Sequence, residues 1–249
     1  MEISHSKRFL FIHIPKTGGS TLARVLKPAA QTTRRNVLRT TLHALPLRQS
    51  PQHAWFEQHD SAAVMIGKLG PEAFGRYTSF AMVRNPFRHA VSHYEFTHKI
   101  EFGHMRRHYA KGMGFEEFLE WRLAARDHQR LERRTRFVRM PDQMFYITGP
   151  DGQVAVNRIL YKERMEDALD WLACSFGLKH PEKLPQLRKQ TYPRPVQAYL
   201  TPRAVDLIQR LYARDFAAFG YSTDPSADPA PVAAPTPAGA SAAPVTLSA

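Results

Sequence analysis

Two short stretches carry the groups that could do chemistry. The first is Lys16-Thr17-Gly18-Gly19-Ser20-Thr21, which follows a mostly apolar run and precedes a stretch of helical character. Paired glycines let neighbouring backbone N–H groups turn toward one point. A helix starting there adds the positive end of its dipole, and Lys16 adds a full charge. The hydroxyls of Ser20 and Thr21 complete a donor set suited to a phosphate-like anion. A glycine turn with a serine cap is the plainer account of the same residues. Their order differs from a Walker A loop, where the lysine follows the glycines and directly precedes Ser or Thr, so magnesium nucleotide chemistry is less expected.

The second stretch is Arg84-Asn85-Pro86-Phe87-Arg88, running on to Ser92. Arg84 would end a strand and Ser92 would lie in the following helix, so both can point at one spot. The planar guanidinium matches a pair of phosphate oxygens, and a serine hydroxyl can donate to a third. Taken alone, a helix bearing surface ion pairs explains the segment equally well. Other constellations are thinner. His89 with His93, and His104 with His108, have ligand spacing, but neither pair has a third ligand or a carboxylate signature, so no metal is expected. Arg122, Arg126, Arg130 and Arg133 form a basic stripe at helical spacing. That pattern predicts a solvated helix face, with a contact surface for an acidic acceptor as the sharper alternative. No nucleophile elbow for Ser-His-Asp catalysis is present.

The elements that must position these groups follow from periodicity and punctuation. Arg8 to Ile14 reads as a buried strand, and Thr21 to Leu26 as the start of a helix. Residues 28–52 show no clear period and read as mixed loop and short helix. A helix capped by Asp60 or Ser61 runs to Leu69. Thr78 to Val83 is the second strand and Phe87 to His98 its helix, so strand, anion-binding loop and helix occur twice. Phe115, Phe118, Leu119 and Leu123 open another helix, continuing into an arginine-rich stretch through Arg139. Phe145 to Leu160 reads as a hairpin turning at Gly149-Pro150-Asp151-Gly152. Met165 to Phe176 is helical and stops at Gly177. Thr201-Pro202 opens the last helix, with Val205, Ile208, Leu211, Tyr212, Phe216 and Phe219 as its core face and Gly220 as its stop.

The 249 residues suit one domain, 1–222, followed by a Pro/Ala-rich tail, 223–249, expected to be disordered. With 43% hydrophobic residues the chain can bury a core, and a net charge of +13 favours anionic partners. The single cysteine, Cys174, excludes an internal disulfide and fits a reducing, cytoplasmic setting. The run Phe9-Leu10-Phe11-Ile12 is far shorter than the ~20 residues of a spanning helix, so no transmembrane segment is expected.

Together the two loops resemble the 5′-phosphosulfate loop and the 3′-phosphate motif of sulfotransferases that use 3′-phosphoadenosine 5′-phosphosulfate (PAPS). The nearest likeness is to the carbohydrate branch, family 2-like, in its short bacterial-type form. It extends from Phe9 to Tyr221 and includes His59-Asp60-Ser61-Ala62, the strand Phe80-Ala81-Met82-Val83 and the closing segment Tyr212 to Tyr221. The resemblance implies an α/β, P-loop-like, three-layer fold with a central, mainly parallel sheet flanked by helices. It implies that Lys16, Thr17, Gly18, Gly19, Ser20 and Thr21 hold the 5′-phosphosulfate, and that Arg84 and Ser92 hold the 3′-phosphate. Lys16 would stabilise the leaving phosphate, and His59 occupies the position of a catalytic base in relatives that have one, with Glu57 as the weaker alternative. The implied partners are PAPS and a hydroxyl-bearing acceptor, sugars leading, with no metal required. The chain departs from the family pattern where relatives often carry Asp near position 157 and Gly-Arg-Phe-Glu near 160–163, since here Asn157 and Leu160-Tyr161-Lys162-Glu163 stand. Arg188-Lys189-Gln190 likewise replaces an Asn-x-Ser element. Two rival functions are a P-loop kinase, which needs magnesium and ATP, and a non-catalytic binder of nucleic acid or another polyanion. The latter leaves both anion loops unexplained, and no nucleic-acid motif is present.

Overall fold

The structure, a computed structural model, describes residues 1–99, 112–126, 140–179 and 192–231. Its strands are β1 (Glu2–Ser4), β2 (Phe9–Ile12), β3 (Thr78–Val83) and β4 (Arg158–Tyr161), in the spatial order β1-β2-β3-β4. β1 runs antiparallel to β2, whereas β2, β3 and β4 are parallel, with Ile12 beside Ala81 and Val83 beside Tyr161. All three parallel strands therefore deliver their carboxyl ends to one edge, where open α/β sheets place their ligands. Lys16, Arg84 and Lys162 each follow one of those ends.

The strand residues alternate between two cores, as a pleated strand buried on both faces requires. Phe9, Phe11, Phe80, Met82 and Leu160 pack on α1 (Gly19–Leu26) and on the later helix Met165–Phe176. Leu10, Ile12, Ala81 and Val83 face the other way. They meet α3 (Ala62–Leu69), α4 (Pro71–Gly75), α5 (Pro86–Lys99), α6 (Phe115–Arg126) and α7 (Met144–Ile147). The same core takes in α9 (Pro202–Leu211) and α10 (Ala213–Phe219), while α2 (Val37–Ala44) lies at the periphery and Met165–Phe176 is α8. Helix, sheet, helix makes three layers, the expected α/β architecture. Among the described residues no helix is long and apolar enough to cross a membrane.

Several local expectations change. β1 is an additional edge strand, and residues 145–160 are not a hairpin. The turn at 149–152 does form, with Gly149 N–H on the Gln153 carbonyl at 2.8 Å, but only one bridge follows, Thr148 with Val154. The chain then joins the open edge of β3, because the Asn157 carboxamide oxygen accepts from Ser79 N–H at 2.8 Å and from the Ser79 hydroxyl at 2.9 Å. An unpaired edge of β3 would otherwise leave backbone donors and acceptors exposed. The last helix breaks at Tyr212 into α9 and α10. Arg122 is 1% exposed and so does not belong to a solvated stripe. The side chain of Arg126, and Arg130, Arg133, His104, His108 and residues 188–190, lie outside the described residues. Of the tail, residues 223–231 are described and tied back: the Pro229 carbonyl accepts from Asn85 Nδ2 at 3.2 Å, and the Pro231 carbonyl from Arg164 at 2.9 Å.

Arg122 belongs to a buried relay that reaches the glycine loop. Its guanidinium donates to the Tyr212 hydroxyl at 2.9 Å and to the Met140 carbonyl at 2.7 Å. The Tyr212 hydroxyl meets His89 Nδ1 at 2.8 Å, and His89 Nε2 lies 2.9 Å from the Pro15 carbonyl. That carbonyl can only accept, so Nε2 carries the proton and Nδ1 accepts from tyrosine. Burial, outweighing the bond to Pro15, pushes His89 down to about 3, and a neutral imidazole satisfies this wiring.

Burial also lowers His59 to about 4 and His13 well below the ordinary value of 6.5. In the unfolded chain all three would titrate near 6.5 and bind protons that the folded state refuses. Their contribution to stability is thus present above that value and is lost as pH falls from there toward the folded values. Thermal unfolding followed by circular dichroism should give a lower midpoint at about pH 5.5 than at about pH 7.5. The buried Asp215 carboxyl, raised to about 7, works the other way in this window, but it is one group against three. An equal or higher midpoint at the lower pH therefore contradicts the burial of neutral histidines.

Candidate functional site

β2 ends against Pro15, and the loop that follows turns through two left-handed residues, Lys16 at φ 64° and Gly18 at φ 87°. Thr17 is buried and its hydroxyl donates to the Ile14 carbonyl at 3.0 Å, so its side chain closes the loop rather than facing outward. Gly18 is the N-cap of α1, and among the described residues no side chain caps that helix. Thr21 N–H is taken by the Gly18 carbonyl at 3.0 Å, which leaves the earlier N–H groups of the turn to an external acceptor. At Gly19 a Cβ would stand 2.2 Å from His13 Cδ2, so no larger residue fits without displacing that ring. Ser20 is exposed and Thr21 half-exposed at the start of α1. The Lys16 ammonium lies over the Phe96 ring, 3.7 Å from its centroid.

Arg84 stands at the end of β3 and touches that loop, donating to the Lys16 carbonyl at 3.2 Å and to the Tyr192 hydroxyl at 3.3 Å. Its Nε is buried and has no hydrogen-bond partner among the described residues. The backbone of Arg84 is clamped by the Gln143 carboxamide, which accepts from its N–H at 2.8 Å and donates to its carbonyl at 2.9 Å. Gln143 is held in turn by Asp215 Oδ2, at 3.0 Å from its side chain and 3.0 Å from its backbone N–H. Burial, with Asp142 adding, raises the Asp215 carboxyl to about 7, against the pull of those N–H donors. Next in sequence, Asn85 Oδ1 caps α5 by accepting from Phe87 and Arg88 N–H at 3.1 and 3.3 Å. Glu163 accepts from Asn85 N–H at 3.0 Å and from the Tyr221 hydroxyl at 2.9 Å. Ser92 lies buried on α5, 1% exposed.

His59 precedes α3, whose N-cap is Ser61. His59 Nδ1 lies 2.7 Å from the His13 carbonyl, an acceptor, so the proton sits on Nδ1 and the neutral ring carries its lone pair on Nε2. The His13 ring packs edge-on against His59, with centroids 4.8 Å apart, and its Cδ2–Nε2 edge lies against Gly19. The candidate base and the glycine loop are therefore joined through one buried residue. Glu57 and Asp60 instead line a cavity of about 410 Å³ with His43, Pro46 and Lys68, which contains no residue of the glycine loop. His89, one of the metal-spaced histidines, uses both ring nitrogens in the relay to Tyr212 and Pro15.

Of the residues expected at the site, the structure brings the loop Lys16–Thr21 and Arg84 into contact and sets His59 beside them through His13. The sequence did not single out Lys162, His13, Gln143, Asp215 or Tyr192. Lys162 lies across the loop: a Cβ on Gly18 would come within 2.6 Å of Lys162 Cδ. Its signal was the end of a third parallel strand, which a hairpin over 145–160 conceals.

Comparison with curated proteins and with solved structures gives no significant match. A family model described as the sulfotransferase family matches residues 1–222, which span both candidate anion-binding loops, the sheet, and the networks around Arg84 and His89. The chain belongs to the sulfotransferase family.

Proposed function

We propose that the protein transfers a sulfuryl group from PAPS to the hydroxyl of an acceptor. The observation that carries this is the bond between Arg84 and the Lys16 carbonyl, which joins two anion-binding loops at the carboxyl edge of the sheet. A donor nucleotide with phosphate at both 5′ and 3′ ends needs two such sites.

In the reaction the acceptor oxygen forms a bond to sulfur while the bond from sulfur to the 5′-phosphate oxygen breaks. The acceptor proton leaves, and the products are a sulfate ester and adenosine 3′,5′-bisphosphate. Such in-line transfers depend on positioning and on stabilising the charge that grows on the leaving oxygen. The N–H groups at the start of α1 and the Lys16 ammonium supply that stabilisation, and Arg84 with Ser92 takes the 3′-phosphate. His59 receives the acceptor proton on Nε2, and its depressed pKa keeps that nitrogen unprotonated through neutral pH. The acceptor we propose is a carbohydrate, on the resemblance of both loops to the carbohydrate branch. A cytoplasmic setting suits a chain whose single cysteine, Cys174, is exposed and unpaired.

Calorimetry on the full chain should show binding of adenosine 3′,5′-bisphosphate and none of magnesium ATP. Arg84→Ala should weaken the bisphosphate by at least about tenfold, the scale of one lost charge-assisted bond. Absence of bisphosphate binding, or ATP binding in its place, contradicts the PAPS assignment. For the base, His59→Ala should lower kcat by about 10²-fold or more with bisphosphate affinity little changed. In the unaltered enzyme kcat/KM should stay level as pH falls from neutral and drop only on approaching about 4, where His59 protonates. A drop centred near the ordinary histidine value of 6.5 contradicts this role.

A further inference from the structure

Lys162 follows β4 and opens the single turn Lys162–Arg164. Its stem lies across Gly18, with Cδ at 2.6 Å, Cε at 3.0 Å and Nζ at 3.5 Å from the place a Cβ there would occupy. The ammonium thus stands over the turn whose N–H groups open α1. Arg84 acts on it as a like charge, so two cations converge on one loop. The acidic neighbour, Glu163, already accepts from Asn85 N–H at 3.0 Å and from the Tyr221 hydroxyl at 2.9 Å. Among the described residues no hydrogen bond or ion pair takes up the Lys162 ammonium. Burial first, and Arg84 second, hold its pKa below the ordinary lysine value of 10.5, against a weaker opposing pull from the Glu163 charge. Half-buried like charges without an anion between them are unfavourable, and an anion bound on the loop relieves both.

We propose that Lys162 is a donor-binding residue that places its ammonium on the 5′-phosphate side of the nucleotide, opposite the N–H groups of the glycine loop. This rests on the PAPS reading and adds a contact to it. The side chain stands where the family pattern has an aromatic residue, so the contact belongs to this chain's own sequence. Lys16 and Lys162 then approach the 5′ end from different elements, one from the loop itself and one from the end of the neighbouring strand system.

The test uses competition titrations on the full chain with two ligands, adenosine 3′,5′-bisphosphate and adenosine 3′-monophosphate, which lacks the 5′ group. Lys162→Gln keeps most of the stem and removes the charge, and Lys162→Arg keeps the charge. The glutamine variant should lose at least about tenfold in bisphosphate affinity, as one charge-assisted bond implies, and the arginine variant should recover part of it. Affinity for the 3′-monophosphate should be the same in all three proteins. Bisphosphate binding unchanged in Lys162→Gln overturns the assignment, as does an equal loss for both ligands. Failure of the unaltered chain to bind bisphosphate overturns instead the PAPS reading on which the assignment rests.

Discussion

Arg84 donates to the carbonyl of Lys16, and much of the buried polar structure keeps those two residues where that bond can form. The bond joins the loop after β2 to the loop after β3. Parallel pairing of those adjacent strands brings their ends to within about 5 Å, and side chains must tie together the loops that follow. On the Arg84 side, Gln143 grips the backbone from both sides and Asp215 grips Gln143. On the Lys16 side, the chain from Arg122 through Tyr212 to His89 ends on the Pro15 carbonyl, one residue before the lysine. Both supports are buried, where a polar group missing its partner costs about 1–3 kcal/mol. Each network therefore tolerates few alternative arrangements.

The electrostatics have a single direction. Arg84 and Lys162 meet at the glycine loop, the Lys16 ammonium is held over an aromatic ring, and α1 begins there without a capping side chain. The histidines nearby are kept neutral by burial, so they add hydrogen bonds without adding further positive charge. Such a site selects for negative charge while leaving an unprotonated imidazole at its flank. Both features suit the proposed transfer of a sulfuryl group onto a hydroxyl.

What could be read from the sequence was what is local. Pro15 with Gly18 and Gly19, and Asn85-Pro86 after an apolar run, punctuate the chain within a few residues of the strands they end, and both strand-loop-helix units stand as expected. Ser61 and Thr201 likewise cap their helices. The misreadings concern choices of partner. The turn chemistry at Gly149 to Gly152 is real, but a turn does not say whether the returning chain pairs with its predecessor or with a distant strand. Asn157 and the free edge of β3 decide that, and with them the place of Lys162. Arg122 has the spacing of a surface stripe, yet its partner, Tyr212, lies 90 residues away. Helical spacing is the same whichever face a helix buries.

A crystal structure of the full chain with adenosine 3′,5′-bisphosphate would show directly whether the two loops hold the two ends of one nucleotide. The 5′-phosphate should lie on the N–H groups of the glycine loop at the start of α1, and the 3′-phosphate within hydrogen-bond distance of Arg84. A nucleotide bound with neither phosphate on these groups, for instance in the cavity beside Glu57 and Asp60, would contradict that placement.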